Sequence, residues 1–179
     1  MIEALAALAT GPRSLLMAGS GGDAAGQWEA SGYTVTRLDI DPATKPDVVA
    51  SMTDVGDIGP FDTVFCCHAL EHLYPHEVPQ ALGEFWRVLR PGGVVLVVVP
   101  DLEGVAATDE ALGMAPNGCA VTGLHLYYGD AALIPTQPYM AHHCGFVSST
   151  LSAAMAAAGF EVRTERQGGY NLMGIGVKR

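Results

Sequence analysis

The segment HALEHLYPHE, residues 68–77, concentrates side chains that can bind a metal ion or transfer a proton. Imidazoles four residues apart share one face of an α-helix, where they can coordinate one ion together. Near neutral pH the same groups can also act as general bases. Three histidines set this spacing: His68, His72 and His76.

Two prolines argue against a continuous helix through this segment. Pro75 disfavours helical backbone at the residue before it, and Pro79 lacks an amide hydrogen-bond donor. We therefore predict a turn over residues 68–73 and a separate helix that begins near residue 76. The histidine row is then divided, a third ligand is not fixed, and we predict no metal site.

A second group of residues has the pattern of a nucleotide-binding loop. The sequence LLMAGSGGDA carries a buried strand directly into Gly19, Ser20 and Gly21, and glycine lets the backbone approach a ligand closely. Asp39 ends the next predicted strand, where a carboxylate can accept hydrogen bonds from both ribose hydroxyls. These features predict a cofactor that contains adenosine.

Two cofactors compete for this loop. Gly19-x-Gly21-x-x-Ala24 satisfies the relaxed dinucleotide fingerprint, which favours NAD. The following segment, DAAGQWEASG, is a poor helix with an interior Gly26, whereas a pyrophosphate requires a well-formed helix N-terminus. S-adenosylmethionine carries no phosphate and tolerates a weaker helix.

The elements that must position these residues alternate between strand and helix, which indicates an α/β fold with a largely parallel sheet. Helical periodicity of the apolar residues predicts a helix over 78–90, stopped by the Pro-Gly-Gly that follows it. Another helix is predicted over 148–160, with a serine N-cap and Gly159 at its end, and a short one over 2–9. The predicted strands lie at 13–18, 33–40, 46–52, 61–67, 93–100, 160–165 and 171–179.

Charge and composition exclude several classes of partner. The formal net charge is −10, from 19 acidic and 9 basic side chains. Nucleic acids and anionic membrane surfaces are bound mainly through Lys and Arg, so we expect neither. The longest apolar run, VVLVVV, is too short to span a bilayer. Four cysteines without CxxC pairs and a start without a basic n-region predict a cytoplasmic protein with reduced thiols.

The order of motifs over residues 61–101 resembles that of the class I S-adenosylmethionine-dependent methyltransferases of the small-molecule type. An FD-led strand is followed by an LEH turn, a helix that ends in RVLRPGG, and another strand. The segment HHCGFVSSTLSAAMAAAGF is similar to the family's approach to its last helix. The resemblance covers roughly residues 13–179. It implies one Rossmann-like domain over 1–179, with a seven-stranded, mostly parallel sheet, an antiparallel last strand and helices on both faces.

The resemblance also implies S-adenosyl-L-methionine as cofactor, and methyl transfer by in-line displacement to a small-molecule acceptor at oxygen, nitrogen or carbon. The glycine loop would face the methionine part, Asp39 the ribose, and the end of the strand over 61–67 the sulfonium. Two segments would enclose the adenine. The implied cofactor-binding residues are Gly19, Ser20, Gly21, Asp39, Ile40, Ser51, Met52, Cys67 and His68.

The acceptor site is expected in an insert over residues 102–146, where the strand and helix pattern loosens. Aromatic and histidine side chains in a long loop favour a functional role, and the insert contains His125, Tyr127, Tyr128 and Tyr139. If the acceptor must lose a proton, the candidate catalytic residues are His68, His142 and His143. The short N-terminus lacks lid helices, so we consider a homodimer in which a partner subunit completes the closure.

Three positions depart from the family pattern. Met17 replaces an acid that usually precedes the loop, Ser51 stands where aspartate is common, and Asp23 replaces a third loop glycine. Each change removes a polar contact to the cofactor, worth about 0.5–1.5 kcal/mol. They keep two alternatives open: a cofactor-binding or scaffold protein that has lost turnover, and an NAD-binding protein.

Overall fold

The computed structural model describes residues 13–21, 25–115 and 118–179. The predicted helix over 2–9 and two loop positions, Asp23 and Ala24, lie outside these ranges. The described helices are α1 (Gly26–Ala30), α2 (Val78–Val88), α3 (Gly123–Tyr128) and α4 (Ser148–Ala157). The described strands are β1 (Arg13–Ala18), β2 (Tyr33–Asp39), β3 (Val48–Val49), β4 (Phe61–Cys67), β5 (Leu89–Pro100), β6 (Ala111–Met114), β7 (Ala120–Thr122), β8 (Phe160–Gln167) and β9 (Asn171–Lys178).

Seven of these strands form one sheet in the order β3-β2-β1-β4-β5-β9-β8. The pairs from β3 to β5 are parallel, and β9 runs antiparallel to both of its neighbours, β5 and β8. The predicted seven-stranded, mostly parallel sheet with an antiparallel last strand is therefore confirmed. β6 and β7 pair with each other outside this sheet.

Alternation along β1 places the core on both faces of the sheet. Leu15 and Met17 belong to one apolar cluster, which contains Trp28 of α1. Leu16 and Ala18 point the other way and belong to a larger cluster, which contains the buried residues of α2 and α4. Successive side chains of a strand face opposite sides, so helices cover both faces, as the sequence predicted.

The helix predicted over 78–90 is shorter than expected and does not reach the glycines. α2 ends at Val88, because the backbone of Leu89 is already extended and pairs with Phe61 across the sheet. The Pro-Gly-Gly segment consequently lies inside β5 and not after a helix. Tertiary pairing here overrides the local helical pattern.

The predicted serine N-cap of the last helix is wrong. Val147 precedes α4, and its amide donates to the hydroxyl of Thr150 at 3.0 Å. Ser148 is already the first helical residue, and its hydroxyl instead hydrogen-bonds that of Thr164 on β8 at 2.8 Å. Gly159 follows the helix with a φ of +101°, as its predicted place at the helix end requires.

The insert leaves the sheet after β5 and returns to it before α4. On the return, the amides of His143 and Cys144 both donate to the carbonyl of Glu71, at 2.9 and 3.2 Å. Phe146 then bridges to Asp101, next to the end of β5. The insert is therefore fastened to the turn that follows β4. Within the described ranges, every helix falls short of the length and apolar character that a membrane crossing requires.

Candidate functional site

A cavity of about 430 Å³ opens at the carboxyl ends of β1, β2 and β4. Ligands of open α/β sheets bind at this edge, and the volume lies in the usual range for small-molecule sites. The structure brings every predicted cofactor-binding residue to its wall. These residues are Gly19, Ser20, Gly21, Asp39, Ile40, Ser51, Met52, Cys67 and His68.

The glycine loop of this cavity is held by backbone contacts with β2. The amides of Gly19 and Ser20 donate to the carbonyl of Leu38, at 2.9 and 3.1 Å. Asp39 is largely buried, and its Oδ2 accepts from the Gly21 amide at 2.7 Å while Oδ1 accepts from the Asp41 amide at 2.9 Å. Asp39 therefore fixes the loop in addition to facing the cavity.

The cavity also has an apolar wall suited to a flat ring. Ile40 is 59% exposed although it is a large aliphatic residue, and it lines the cavity together with Met52. Ser51 stands at the same wall, and its hydroxyl pairs with that of Thr53 at 2.8 Å. Met17, in contrast, is buried in the core beneath the sheet and does not line the cavity.

His68 stands at the end of β4 in a strained backbone conformation. Its φ is +49°, a left-handed value that non-glycine residues rarely adopt and that is often found at functional sites. Its amide donates to the carbonyl of Val98 at 2.8 Å. Its Nδ1 lies 3.3 Å from Oε1 of Glu71. Burial alone would lower the pKa of His68, but Glu71 and Asn171 together outweigh burial and raise it.

The thiol of Cys67, the residue before His68, is not expected to act as a nucleophile. Burial, reinforced by the negative charge of Glu71, raises the pKa of Cys67 to about 11. A cysteine reacts as its thiolate, so this side chain stays protonated at neutral pH. Cys67 therefore serves the cavity as a small, polarizable wall residue.

A second cavity of about 240 Å³ lies between the insert and the sheet edge. The insert contributes His125, Leu126, Asp130 and His142 to its walls. Three residues line both cavities and mark where they meet: His68, His72 and Met140. The region predicted for the acceptor thus encloses a cavity that adjoins the first one.

The two catalytic candidates of the insert have different surroundings. His142 lines the second cavity, and its Nδ1 donates to the carbonyl of Leu126 at 2.9 Å. Burial lowers the pKa of His142, against the opposing effects of that hydrogen bond and of Glu71, so its imidazole is neutral at pH 7. His143 stacks on Tyr74, with ring centroids 4.1 Å apart, and lines neither cavity.

The tyrosines predicted for the acceptor region lie elsewhere. Tyr127 donates its hydroxyl hydrogen to the carbonyl of Val105 at 3.0 Å, and Tyr128 is 63% exposed. Tyr139 lines the first cavity, and its hydroxyl donates to Oδ2 of Asp41. Tyr139 therefore closes the first cavity from the insert side, a role that the sequence did not indicate.

One cluster at the junction of the cavities was not anticipated from the sequence. Glu71 is 1% exposed, and neither of its carboxylate oxygens accepts a hydrogen bond from any described residue. Ligand atoms of Glu71, His72 and His142 lie within 4.8 Å of one another. His76, the last histidine of the row, is exposed and contacts Tyr74 instead. The cluster was missed because His142 is distant from the other two residues in sequence.

The helix after the glycine loop distinguishes the two cofactors considered for the first cavity. α1 has only 5 residues and begins at Gly26. A pyrophosphate is held by the aligned amides of a well-formed helix N-terminus, which α1 does not provide. The backbone loop, the acid after β2 and the apolar wall instead suit an adenosine ligand without phosphates.

The described fold is similar to that of solved methyltransferases. Residues 16–97 match a family model described as a methyltransferase domain. No curated protein sequence matches the chain. The chain is similar in fold to a methyltransferase from Mesorhizobium loti that depends on S-adenosylmethionine, with a TM-score of 0.68, 16% identity, and coverage of 98% of this chain and 96% of that one.

Two further solved structures have similar folds. One is a methyltransferase from Archaeoglobus fulgidus that depends on S-adenosylmethionine, with a TM-score of 0.67, 15% identity, and coverage of 99% of this chain and 95% of that one. The other is 1,6-didemethyltoxoflavin-N1-methyltransferase from Burkholderia thailandensis, with 1,6-didemethyltoxoflavin and S-adenosylhomocysteine bound. Its TM-score is 0.63, with 18% identity and coverage of 93% of this chain and 71% of that one.

Proposed function

We propose that the chain is a class I S-adenosylmethionine-dependent methyltransferase that transfers a methyl group to a small-molecule acceptor bound under its insert. The match of residues 16–97 to a methyltransferase-domain model supports this proposal. The family's cofactor is S-adenosyl-L-methionine. The observation that carries the proposal is the meeting of two cavities at His68, His72 and Met140.

The first cavity supplies the groups that such a cofactor requires. We assign the loop at Gly19 to the methionine part, Asp39 to the ribose, and the apolar wall of Ile40 and Met52 to the adenine. The lining of the first cavity by all four residues supports this assignment. The bound cofactor supplies a methyl group that its sulfonium has already activated. The protein must then orient the acceptor and exclude water, and these two effects account for much of the rate in reactions of this kind.

The second cavity supports a small acceptor. Its volume of about 240 Å³ is smaller than that of the first cavity, and the net charge of −10 disfavours a polyanionic acceptor. The methyltransferase from Burkholderia thailandensis was crystallised with 1,6-didemethyltoxoflavin in addition to S-adenosylhomocysteine. An acceptor in the second cavity of this chain would lie beside the first cavity, because the two cavities share three lining residues.

Two histidines have the placement that proton removal from the acceptor would require. His68 lies where the two cavities meet, and His142 lines the acceptor side only. A carboxylate beside Nδ1 of His68 orients that ring, as in other imidazole bases. His143 is less suited, because its ring is stacked away from both cavities.

Calorimetric titration tests the cofactor part of this proposal. We expect S-adenosylmethionine and S-adenosylhomocysteine to bind the full chain and NAD not to bind. Ile40→Lys should weaken S-adenosylhomocysteine about tenfold, equal to about 1.4 kcal/mol, because it removes apolar contact with the adenine. Val49→Lys is the matched control, since Val49 is similarly exposed at 57% but does not line the cavity.

Each outcome of this titration has a distinct meaning. Binding of NAD in preference to either adenosyl ligand would overturn the proposal. Binding of both adenosyl ligands, without methyl release across a broad panel of small acceptors, would support a scaffold protein that has lost turnover. An equal loss of affinity in Ile40→Lys and Val49→Lys would place the adenine elsewhere.

A further inference from the structure

We propose that Glu71, His72 and His142 bind a divalent transition-metal ion, and that this ion holds an oxygen of the acceptor in the second cavity. The binding of the ion depends only on the three side chains. The contact between the ion and the acceptor rests on the proposed methyl transfer. The prediction from sequence that no metal site exists is replaced by this proposal, because the fold supplies the third ligand that the histidine row lacked.

The three ligand atoms are close enough to share one ion. They come from two segments, the turn after β4 and the returning segment of the insert, and lie within 4.8 Å of one another. Metal–ligand distances of about 2.0–2.2 Å place ligand atoms roughly 3–4.4 Å apart around an ion. Side-chain rotations that bring the ligand atoms roughly 1 Å closer together would give the separations of about 3.3–3.6 Å found around a tetrahedral ion.

The two imidazoles each have one nitrogen that is not hydrogen-bonded to the backbone and can bind a metal ion. Nδ1 of His72 lies 3.2 Å from the carbonyl oxygen of Ala141, and Nδ1 of His142 lies 2.9 Å from that of Leu126. A carbonyl only accepts, so Nδ1 is the protonated nitrogen in both rings, and Nε2 keeps its lone pair. Metal-bound histidines nearly always donate their other N–H to such an oxygen.

The surroundings of the Glu71 carboxylate also indicate a bound cation, independently of the distances between the ligand atoms. Glu71 is 1% exposed, and both of its carboxylate oxygens lack a hydrogen bond from any described residue. His68 lies 3.3 Å from Oε1, which leaves Oε2 without a partner of opposite charge. A buried carboxylate is costly unless it is paired or coordinates a metal. A bound cation would provide that pairing.

The ligand set selects the kind of metal. Two imidazoles favour Zn²⁺, Fe²⁺, Co²⁺ or Ni²⁺, whereas Mg²⁺ and Ca²⁺ prefer oxygen ligands alone. Three protein ligands also leave coordination positions open, as in catalytic zinc and iron sites. All three side chains line the second cavity, so the open positions are available to a molecule bound there.

A metal ion with open coordination positions in the second cavity would favour an acceptor with oxygen donors. A hydroxyl bound to a divalent ion loses its proton to water or to His68 more readily than a free one. His142 is then a ligand and not the base, because Nε2 has its only lone pair. A second oxygen in a chelating position would fill another open site and fix the orientation of the acceptor. The acceptor class is therefore a hydroxyl compound with an adjacent oxygen donor.

Titration of tag-free, chelator-treated protein with Co²⁺ and Zn²⁺ tests the site directly. We expect one ion per chain and a cobalt absorption spectrum typical of mixed nitrogen and oxygen ligands. His142→Ala should lower the affinity more than about 100-fold, since losing a second-shell partner alone costs about 10–100-fold. His76→Ala, which changes an exposed histidine of the same row, should leave the affinity unchanged.

Binding of S-adenosylhomocysteine by the same variants separates the two proposals. His142 does not line the first cavity, so His142→Ala should bind S-adenosylhomocysteine as the wild type does, which also shows that it is folded. The isosteric Glu71→Gln provides a second variant with the same expected loss of metal. Cobalt binding that is equal in the wild type, His142→Ala and Glu71→Gln would overturn the metal site. Metal binding without any S-adenosylhomocysteine binding would support the site and overturn the proposed function.

Discussion

Gly19 lies where the cofactor loop and the turn after β4 come closest. A Cβ atom at this position would lie 2.3 Å from that of Ala69, well inside contact distance, and the φ of Gly19 is +67°. At Gly21 the φ is +56°, but no described atom lies within 4 Å of the corresponding position. The two glycines therefore share a left-handed backbone but differ in steric contact.

Alanine at each position should separate backbone strain from collision. Gly21→Ala should lower the free energy of unfolding by about 1 kcal/mol, the usual order for a left-handed residue. Gly19→Ala adds a steric clash and should cost about 2–4 kcal/mol. Urea unfolding of both variants measures the difference. Equal destabilisation would mean that Ala69 can move away without cost.

The site residues that could be predicted from the sequence are those that lie at or next to the end of a strand. Asp39 ends a strand, and Gly19 and His68 directly follow strands, so the rule for the carboxyl edge of a sheet brings them together. Glu71 and His142 are joined by the return of the insert, which no periodicity encodes.

At the scale of elements, Asp62 fastens the beginnings of β1 and β4. Its Oδ2 accepts from the amide and the hydroxyl of Ser14, at 2.8 and 3.0 Å, and its Oδ1 accepts from Nη1 of Arg90 at 2.7 Å. The Ser14 hydroxyl in turn accepts from the Asp62 amide at 3.1 Å. Burial alone would raise the pKa of Asp62, but these hydrogen bonds and Arg90 lower it.

The stability contributed by Asp62 should depend on pH. Its folded pKa is lowered, so the contribution is present above the ordinary pKa of about 4 and is lost as the pH falls through the folded value. Asp62→Asn should cost about 1–2 kcal/mol at about pH 7, with the difference from wild type shrinking below about pH 4. Urea unfolding at both pH values checks this. Asp109→Asn, at an exposed position, should show no such dependence, and a constant cost for Asp62→Asn would contradict the electrostatic origin.

The bounds of the strands were predicted correctly where most of the strand is buried in the sheet. β1 and β4 have the predicted bounds, because each contains a buried, mostly apolar segment inside a parallel sheet. The strand predicted over 46–52 is reduced to Val48–Val49, since only Leu38 and Asp39 of β2 pair with it. The helix over 78–90 lost its end to sheet pairing at Leu89. Such errors arise at ends, where local propensity and long-range pairing compete.

At the scale of the whole molecule, ligand binding should raise stability. Anything that binds only the folded state stabilises it by mass action, by about 2.7 kcal/mol at a ligand concentration of 100 times Kd. For a chain of this size, S-adenosylhomocysteine should therefore raise the thermal midpoint by about 5–10 °C. Differential scanning calorimetry measures the shift. NAD at the same concentration should give none, and a flat response to S-adenosylhomocysteine at saturation would contradict the assigned cavity.

The position of β9 has a consequence for how the protein is made. β9 lies between β5 and β8 in the sheet although it follows both along the chain. During synthesis, therefore, the edge of β5 that will pair with β9 is still unpaired. β8 is also synthesised before β9, its neighbour in the sheet. Unpaired apolar edges recruit other strands. We therefore expect the newly synthesised protein to be prone to aggregation, and to be bound by chaperones, until residues 171–178 pair with β5 and β8.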